Sequence, residues 1–203
     1  MSPGEPLNTP KALTLTMEKQ IIINRLLFVT YGGLASLVFG YIGAAIHELG
    51  HYIACLWLRV PVESLIFTFF KQQIIIAVPL SQLDPWQIEI IAFSGGFTAF
   101  AVFVVITFVY FRLRPAGTPR AYFPRTVIGI GLLFTTLLEL VNTVLETATT
   151  TAYEANLQVV SLITVSAIFA LTYGISLPRI RRYDWLLRIQ KNSTFSNSQE
   201  TQP

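Results

Sequence analysis

One cysteine and two histidines occur in 203 residues, and only 12% of the chain is charged. The lone Cys55 excludes an intramolecular disulfide. The shortage of charge excludes an ordinary soluble domain, in which about a quarter of residues are charged. No apolar core followed by a small-residue cleavage site stands near the N-terminus, so residues 1–25 read as a polar leader and not as a cleaved signal peptide. Internal repeats and low-complexity blocks are missing as well. What fills the chain is apolar: 53% hydrophobic and 13% aromatic residues, with a mean hydropathy of +0.58. That is the composition of an integral membrane protein. The formal charge of +3 is modest and its basic residues flank apolar segments, which points to membrane topology and away from nucleic acid.

Four apolar segments predict an α-helical polytopic membrane protein with about four transmembrane helices, near residues 26–58, 88–111, 127–145 and 155–177. Between the first two, residues 60–80 (VPVESLIFTFFKQQIIIAVPL) are rich in Val, Ile and Phe, with Lys71-Gln72-Gln73 as a polar break. Each apolar run there is too short to span, so a small β-hairpin or strand element is expected. Strand edges are not tolerated against lipid, so it must sit at the interface or pack on protein. Residues 26–178 then form the core, and 179–203 a basic and then disordered tail. Arg112, Arg114, Arg120 and Arg125 follow the second span, five basic residues from Arg179 to Lys191 follow the fourth, and Lys11, Lys19 and Arg25 lie in the leader. With four spans these regions share one side, which the positive-inside rule makes cytoplasmic.

Both histidines fall in one pentapeptide, His47-Glu48-Leu49-Gly50-His51, inside the first apolar segment. On a helix this spacing puts two imidazoles on one face, able to grip one zinc ion, with the intervening carboxylate placed to activate its water. Chance would set two histidines four apart in roughly 1 in 100 chains of this length, and requiring the glutamate lowers that about twentyfold. An ionisable residue at membrane depth is itself a functional-site hypothesis. A third protein ligand is needed, and no third histidine exists. Cys55 follows His51 by four residues, but reads as a small buried apolar side chain. The carboxylates available are Glu63, Asp84, Glu89, Glu139, Glu146 and Glu154. Of these, Glu139, Asn142 and Glu146 make one polar stripe on the third helix, which must face away from lipid.

Three stretches resemble the site-2 protease family of intramembrane zinc metalloproteases, and among them the short bacterial members without appended soluble domains. AAIHELGHYIACLWLRVPVESLIF carries the zinc motif on an apolar helix that runs into a β-rich segment. IIAFSGGFTAFAVFVVI is similar to the family's Ala-Gly-Pro-small-x-Asn element, with Gly96 in place of its Pro and Ala99 or a neighbour in place of its Asn. LVNTVLETATTTAYEANLQVV stands where the family has an Asn, a Pro-rich stretch and Leu-Asp-Gly. Asn142 matches that Asn, but no Pro and no Leu-Asp-Gly follow, and Tyr153-Glu154-Ala155 is the nearest counterpart. The resemblance covers roughly residues 30–170. It implies that His47 and His51 bind Zn²⁺, that Glu48 is the general base and that Asn142 positions substrate. For the third ligand it favours Glu154, with Glu146 as the alternative. It further implies a transmembrane protein or peptide as substrate, and residence in a bacterial cell membrane. Family members usually place the zinc site toward the cytoplasm, whereas the charge count puts it on the opposite face. Two other classes fit the residues: a zinc hydrolase of lipid amides, and a proteolytically inactive relative that binds membrane partners.

Overall fold

The computed structural model of the chain describes residues 9–68, 72–113, 118–149 and 157–199. Four long helices account for most of it: α1 (Thr9–Leu58), α2 (Pro85–Arg112), α3 (Pro119–Thr149) and α4 (Leu157–Gln199). All four are long and apolar enough to cross a membrane, so the chain has the architecture of a multi-pass membrane protein. Between α1 and α2 lies an antiparallel hairpin of β1 (Val62–Phe67) and β2 (Gln72–Ile76).

The first and last helices run beyond the apolar segments. The leader is helical from Thr9, and α1 is 50 residues long, about 75 Å against a hydrocarbon core of roughly 30 Å. After Pro10, residues 11–25 hold no Pro or Gly and many good helix formers, so nothing halts the helix before the apolar stretch. The same reason applies at the other end. No Gly or Pro follows Pro178 within α4, which runs to Gln199. The second helix starts at Pro85, three residues before the apolar run, because its start signals precede that run. Asp84 is the N-cap, Pro85 takes the first turn, and the Gln87 side chain accepts the Asp84 N–H at 3.0 Å. The third helix likewise starts at Pro119, before the expected 127, and ends at Thr149, past 145.

Helix α1 ends in a left-handed turn at Arg59, φ 57°. Val60 N–H reaches back to Cys55 O at 2.8 Å, and Arg59 N–H to Leu56 O at 3.2 Å. This paired pattern closes a helix end and brings the residue after the turn onto its last full turn. Val60 and Cys55 accordingly pack together with Ala54 and Ile91 in a buried apolar cluster, against which Val62, Ile74 and Ile76 of the hairpin also pack. The hairpin is thus anchored on protein, at the junction of α1 and α2. Gln72 and Gln73 belong to β2, paired with Phe67 and Ile66, so the expected polar break does not interrupt the strand there.

Among the four spans α3 is central: half of its most apolar window is buried, against 22% for α1 and for α4. The interior is unusually hydroxylic. Ser36, Thr107, Thr126, Thr135, Thr136, Thr143, Thr172 and Ser176 are buried, while Leu26, Leu37, Val105 and Phe108 are exposed. Lipid removes the usual drive to hide apolar side chains, so small residues and interhelical hydrogen bonds hold such a bundle. Thr107 of α2 meets Thr136 of α3 at 2.9 Å. One end of the bundle is tied by Phe28, Phe123 and Tyr183, with ring centroids 4.7–5.7 Å apart, and by Asn24 Nδ2 donating to Asp184 at 3.2 Å. The motif lies toward the other end, about three turns before α1 stops at Leu58.

Candidate metal centre

The motif is wholly helical, and ligand-type atoms of His47, Glu48 and His51 all lie within 4.8 Å of one another. Helix α3 faces them with the two carboxylates of its polar stripe. His47 Nδ1 lies 3.0 Å from Glu139 Oε2, and His47 Nε2 lies 2.9 Å from Glu146 Oε1. His51 Nδ1 donates to the carbonyl of Ile91 on α2 at 2.6 Å, and His51 Nε2 stands 3.7 Å from Glu146 Oε2. The backbone N–H of Ile74 on β2 donates to Glu48 Oε2 at 2.8 Å. Four elements therefore meet here, with one attachment from each of α2 and β2 and two from α3.

Counting protons shows what this arrangement fits. A carbonyl only accepts, so His51 carries its proton on Nδ1 when neutral and its Nε2 is a lone pair. That lone pair faces Glu146 Oε2, a buried oxygen with no hydrogen-bond partner among the described residues. Two electron pairs so placed repel unless a proton or a metal cation lies between them. His47 is placed similarly: its two nitrogens face two carboxylates, and since a neutral ring has a single N–H to offer, either a second proton or a metal ion completes the pairing. With that proton on Nδ1 toward Glu139, Nε2 is again a lone pair aimed at Glu146. Ligands about 2.1 Å from a tetrahedral ion stand about 3.4 Å apart; His51 Nε2 lies 3.7 Å from Glu146 Oε2, near that spacing, while His47 Nε2 lies at hydrogen-bond distance, 2.9 Å, from Glu146 Oε1. Both outer nitrogens are held by acceptors, as metal-bound imidazoles require. The residues present thus fit a zinc ion held by His47, His51 and Glu146.

Small residues make the approach of the helices possible. A Cβ on Gly43 would lie 2.7 Å from Thr135 and 2.9 Å from Glu139, and one on Gly96 would lie 2.6 Å from the Thr143 backbone nitrogen. The Gly95 backbone lies directly against the His51 ring. Gly40, by contrast, faces open space.

Of the carboxylates open in the sequence, Glu146 joins the pair of histidines through both oxygens. Glu154, preferred on the resemblance, lies outside the described residues. Glu63, Asp84 and Glu89 are exposed and take no part. Asn142 is half-buried on α3, and none of the contacts that join the cluster involves it. Cys55 is fully buried in the apolar cluster under the hairpin, as a small hydrophobe. Sequence reasoning missed the task of Glu139, which holds the outer nitrogen of His47. Its seven-residue spacing from Glu146, two turns on one face, was the available signal. The Ile91 carbonyl and the Ile74 amide are backbone groups with no signature at all. No protein-family model, no curated protein and no solved structure matches the chain.

Proposed function

We propose that the chain is an intramembrane zinc-dependent peptidase, of the kind the site-2 proteases exemplify, cleaving a transmembrane protein or peptide within a bacterial cell membrane. The observation that carries the reading is the juxtaposition of His51 Nε2 and Glu146 Oε2, which has no hydrogen-bond partner among the described residues, inside an apolar bundle, with Glu48 in the same cluster. His47, His51 and Glu146 would hold the zinc ion, which would supply Lewis-acid polarisation of a carbonyl and an acidified water. The chain's own residues do the rest. Glu139 and the Ile91 carbonyl fix the two imidazoles, so their Nε2 atoms stay turned toward the Glu146 carboxylate. Glu48 takes a proton from water as hydroxide adds to the scissile carbonyl carbon, and returns it to the departing amine. The Ile74 amide holds one oxygen of Glu48, leaving the other for that transfer.

Peptides are favoured over lipid amides by the hairpin. A helix hides its own peptide bonds, so a membrane-embedded substrate must unwind. The backbone of β2, beside the catalytic carboxylate, offers an extended partner by strand addition. The test is cleavage of a transmembrane reporter by the full chain in vesicles. Glu48→Gln is expected to lower the rate by roughly 10²–10⁴ while zinc content stays at the wild-type level. Unchanged cleavage by that variant refutes the assignment of Glu48, and hydrolysis of an N-acyl lipid with the reporter left intact refutes the peptidase.

A further inference from the structure

At the end of the bundle away from the histidines, a cavity of about 470 Å³ opens between α2, α3 and α4. Its lining includes Tyr110, Phe111, Tyr122, Arg125, Arg179 and Arg182, and no carboxylate. The three arginines play different parts. Arg125 donates to the carbonyls of Leu113 and Tyr110 at the end of α2, and the Tyr110 hydroxyl donates back to the Arg125 carbonyl at 2.6 Å. Its position is thereby fixed. The Arg179 guanidinium carbon lies over the Phe111 ring, 4.3 Å from its centroid, which holds the group against one wall. Arg182 is exposed one turn further along α4. Neither Arg179 nor Arg182 is joined to a carboxylate among the described residues.

Like charges gathered at one cavity repel, and the fold supplies no acid to offset them there. The cavity also lies at a particular depth. The spans of α2 and α3 end and begin at Arg112 and Pro119, with Tyr110 and Tyr122 just inside. Tyrosine at that level marks the boundary between hydrocarbon and headgroups. Ile175 and Leu113 add apolar walls beside the arginines, and basic pockets between helix ends suit lipid phosphates. We propose that this cavity binds the phosphate of an anionic phospholipid headgroup, with Arg179 and Arg182 as its principal donors. Planar guanidinium groups pair phosphate oxygens two at a time. A zwitterionic headgroup would bring a cation into a lining with no acid to receive it. This inference stands apart from the metal centre and does not depend on the peptidase reading.

Native mass spectrometry of the full chain in neutral detergent provides the test, with dioctanoyl-phosphatidylglycerol, dioctanoyl-phosphatidylcholine and inorganic phosphate as separate probes. Phosphatidylglycerol is expected to bind more tightly than phosphatidylcholine. Arg179→Gln with Arg182→Gln is expected to lower its affinity roughly 30-fold, and the exposed Arg182→Gln alone roughly fivefold. Arg120→Gln, exposed near the same end but outside the cavity, is expected to leave the affinity within about twofold. Wild-type affinity in Arg182→Gln overturns the proposal, and so does an equal loss in Arg120→Gln, which would mean diffuse surface charge. Inorganic phosphate bound as tightly as the lipid overturns the lipid as ligand in favour of a free anion.

Discussion

A histidine at membrane depth is a ligand or a stranded polar group according to where its two nitrogens go. Here Glu139 takes Nδ1 of His47 and the Ile91 carbonyl takes Nδ1 of His51, so both inner nitrogens are left to Glu146. Removing an outer partner should loosen the metal without abolishing the site. Glu139→Leu is expected to weaken zinc binding roughly 10–100-fold, by competition against a chelator of known affinity. An unchanged affinity would make Glu139 a packing residue. The motif itself was legible in the sequence because its three residues share one helix turn, where spacing alone fixes geometry. Glu139 and Glu146 come from 92 and 99 residues away, and no local rule sets how α3 turns its polar stripe toward α1. The choice among distant carboxylates therefore waited on the packing.

At the scale of elements, small side chains set the distances on which the site depends. Gly96 meets the backbone of α3 at Thr143, which cannot move aside as a side chain could. Gly96→Ala is expected to cost about 1–3 kcal/mol, seen as a lower midpoint of thermal unfolding in detergent. A midpoint equal to wild type would mean that α2 and α3 are less closely apposed. The turn that seats the hairpin gives a second prediction. Arg59 holds a left-handed conformation that suits glycine. Arg59→Gly should therefore raise stability by up to about 1 kcal/mol, and Arg59→Val, β-branched, lower it by a similar amount. The reverse order would be inconsistent with that turn. Apolar length revealed the four helices, yet their ends ran further than hydropathy indicated. Hydropathy measures what enters lipid, whereas a helix stops only where a cap, Gly or Pro stops it, as at Asp84 and Arg59.

At the scale of the whole molecule, the charge-rich ends and the histidine cluster lie at opposite ends of the bundle. The positive-inside rule then predicts sidedness. Cys55 is buried, so single cysteines introduced at exposed positions report on it cleanly. Glu63→Cys should react with a membrane-impermeant thiol reagent added outside intact cells and Arg120→Cys should not; the opposite pattern would invert the topology. The fold as a whole, four apolar helices with a hairpin after the first, followed from composition and run length. The gathering of His47, His51, Glu139 and Glu146 did not, because that depends on α1 and α3 meeting face to face across a hydroxylic interior. Metal content of the purified full chain tests that meeting most directly. One zinc per chain is predicted for wild type and for Glu154→Ala, and almost none for Glu146→Ala. Full zinc in Glu146→Ala together with its loss in Glu154→Ala would contradict the site described for His47, His51 and Glu146.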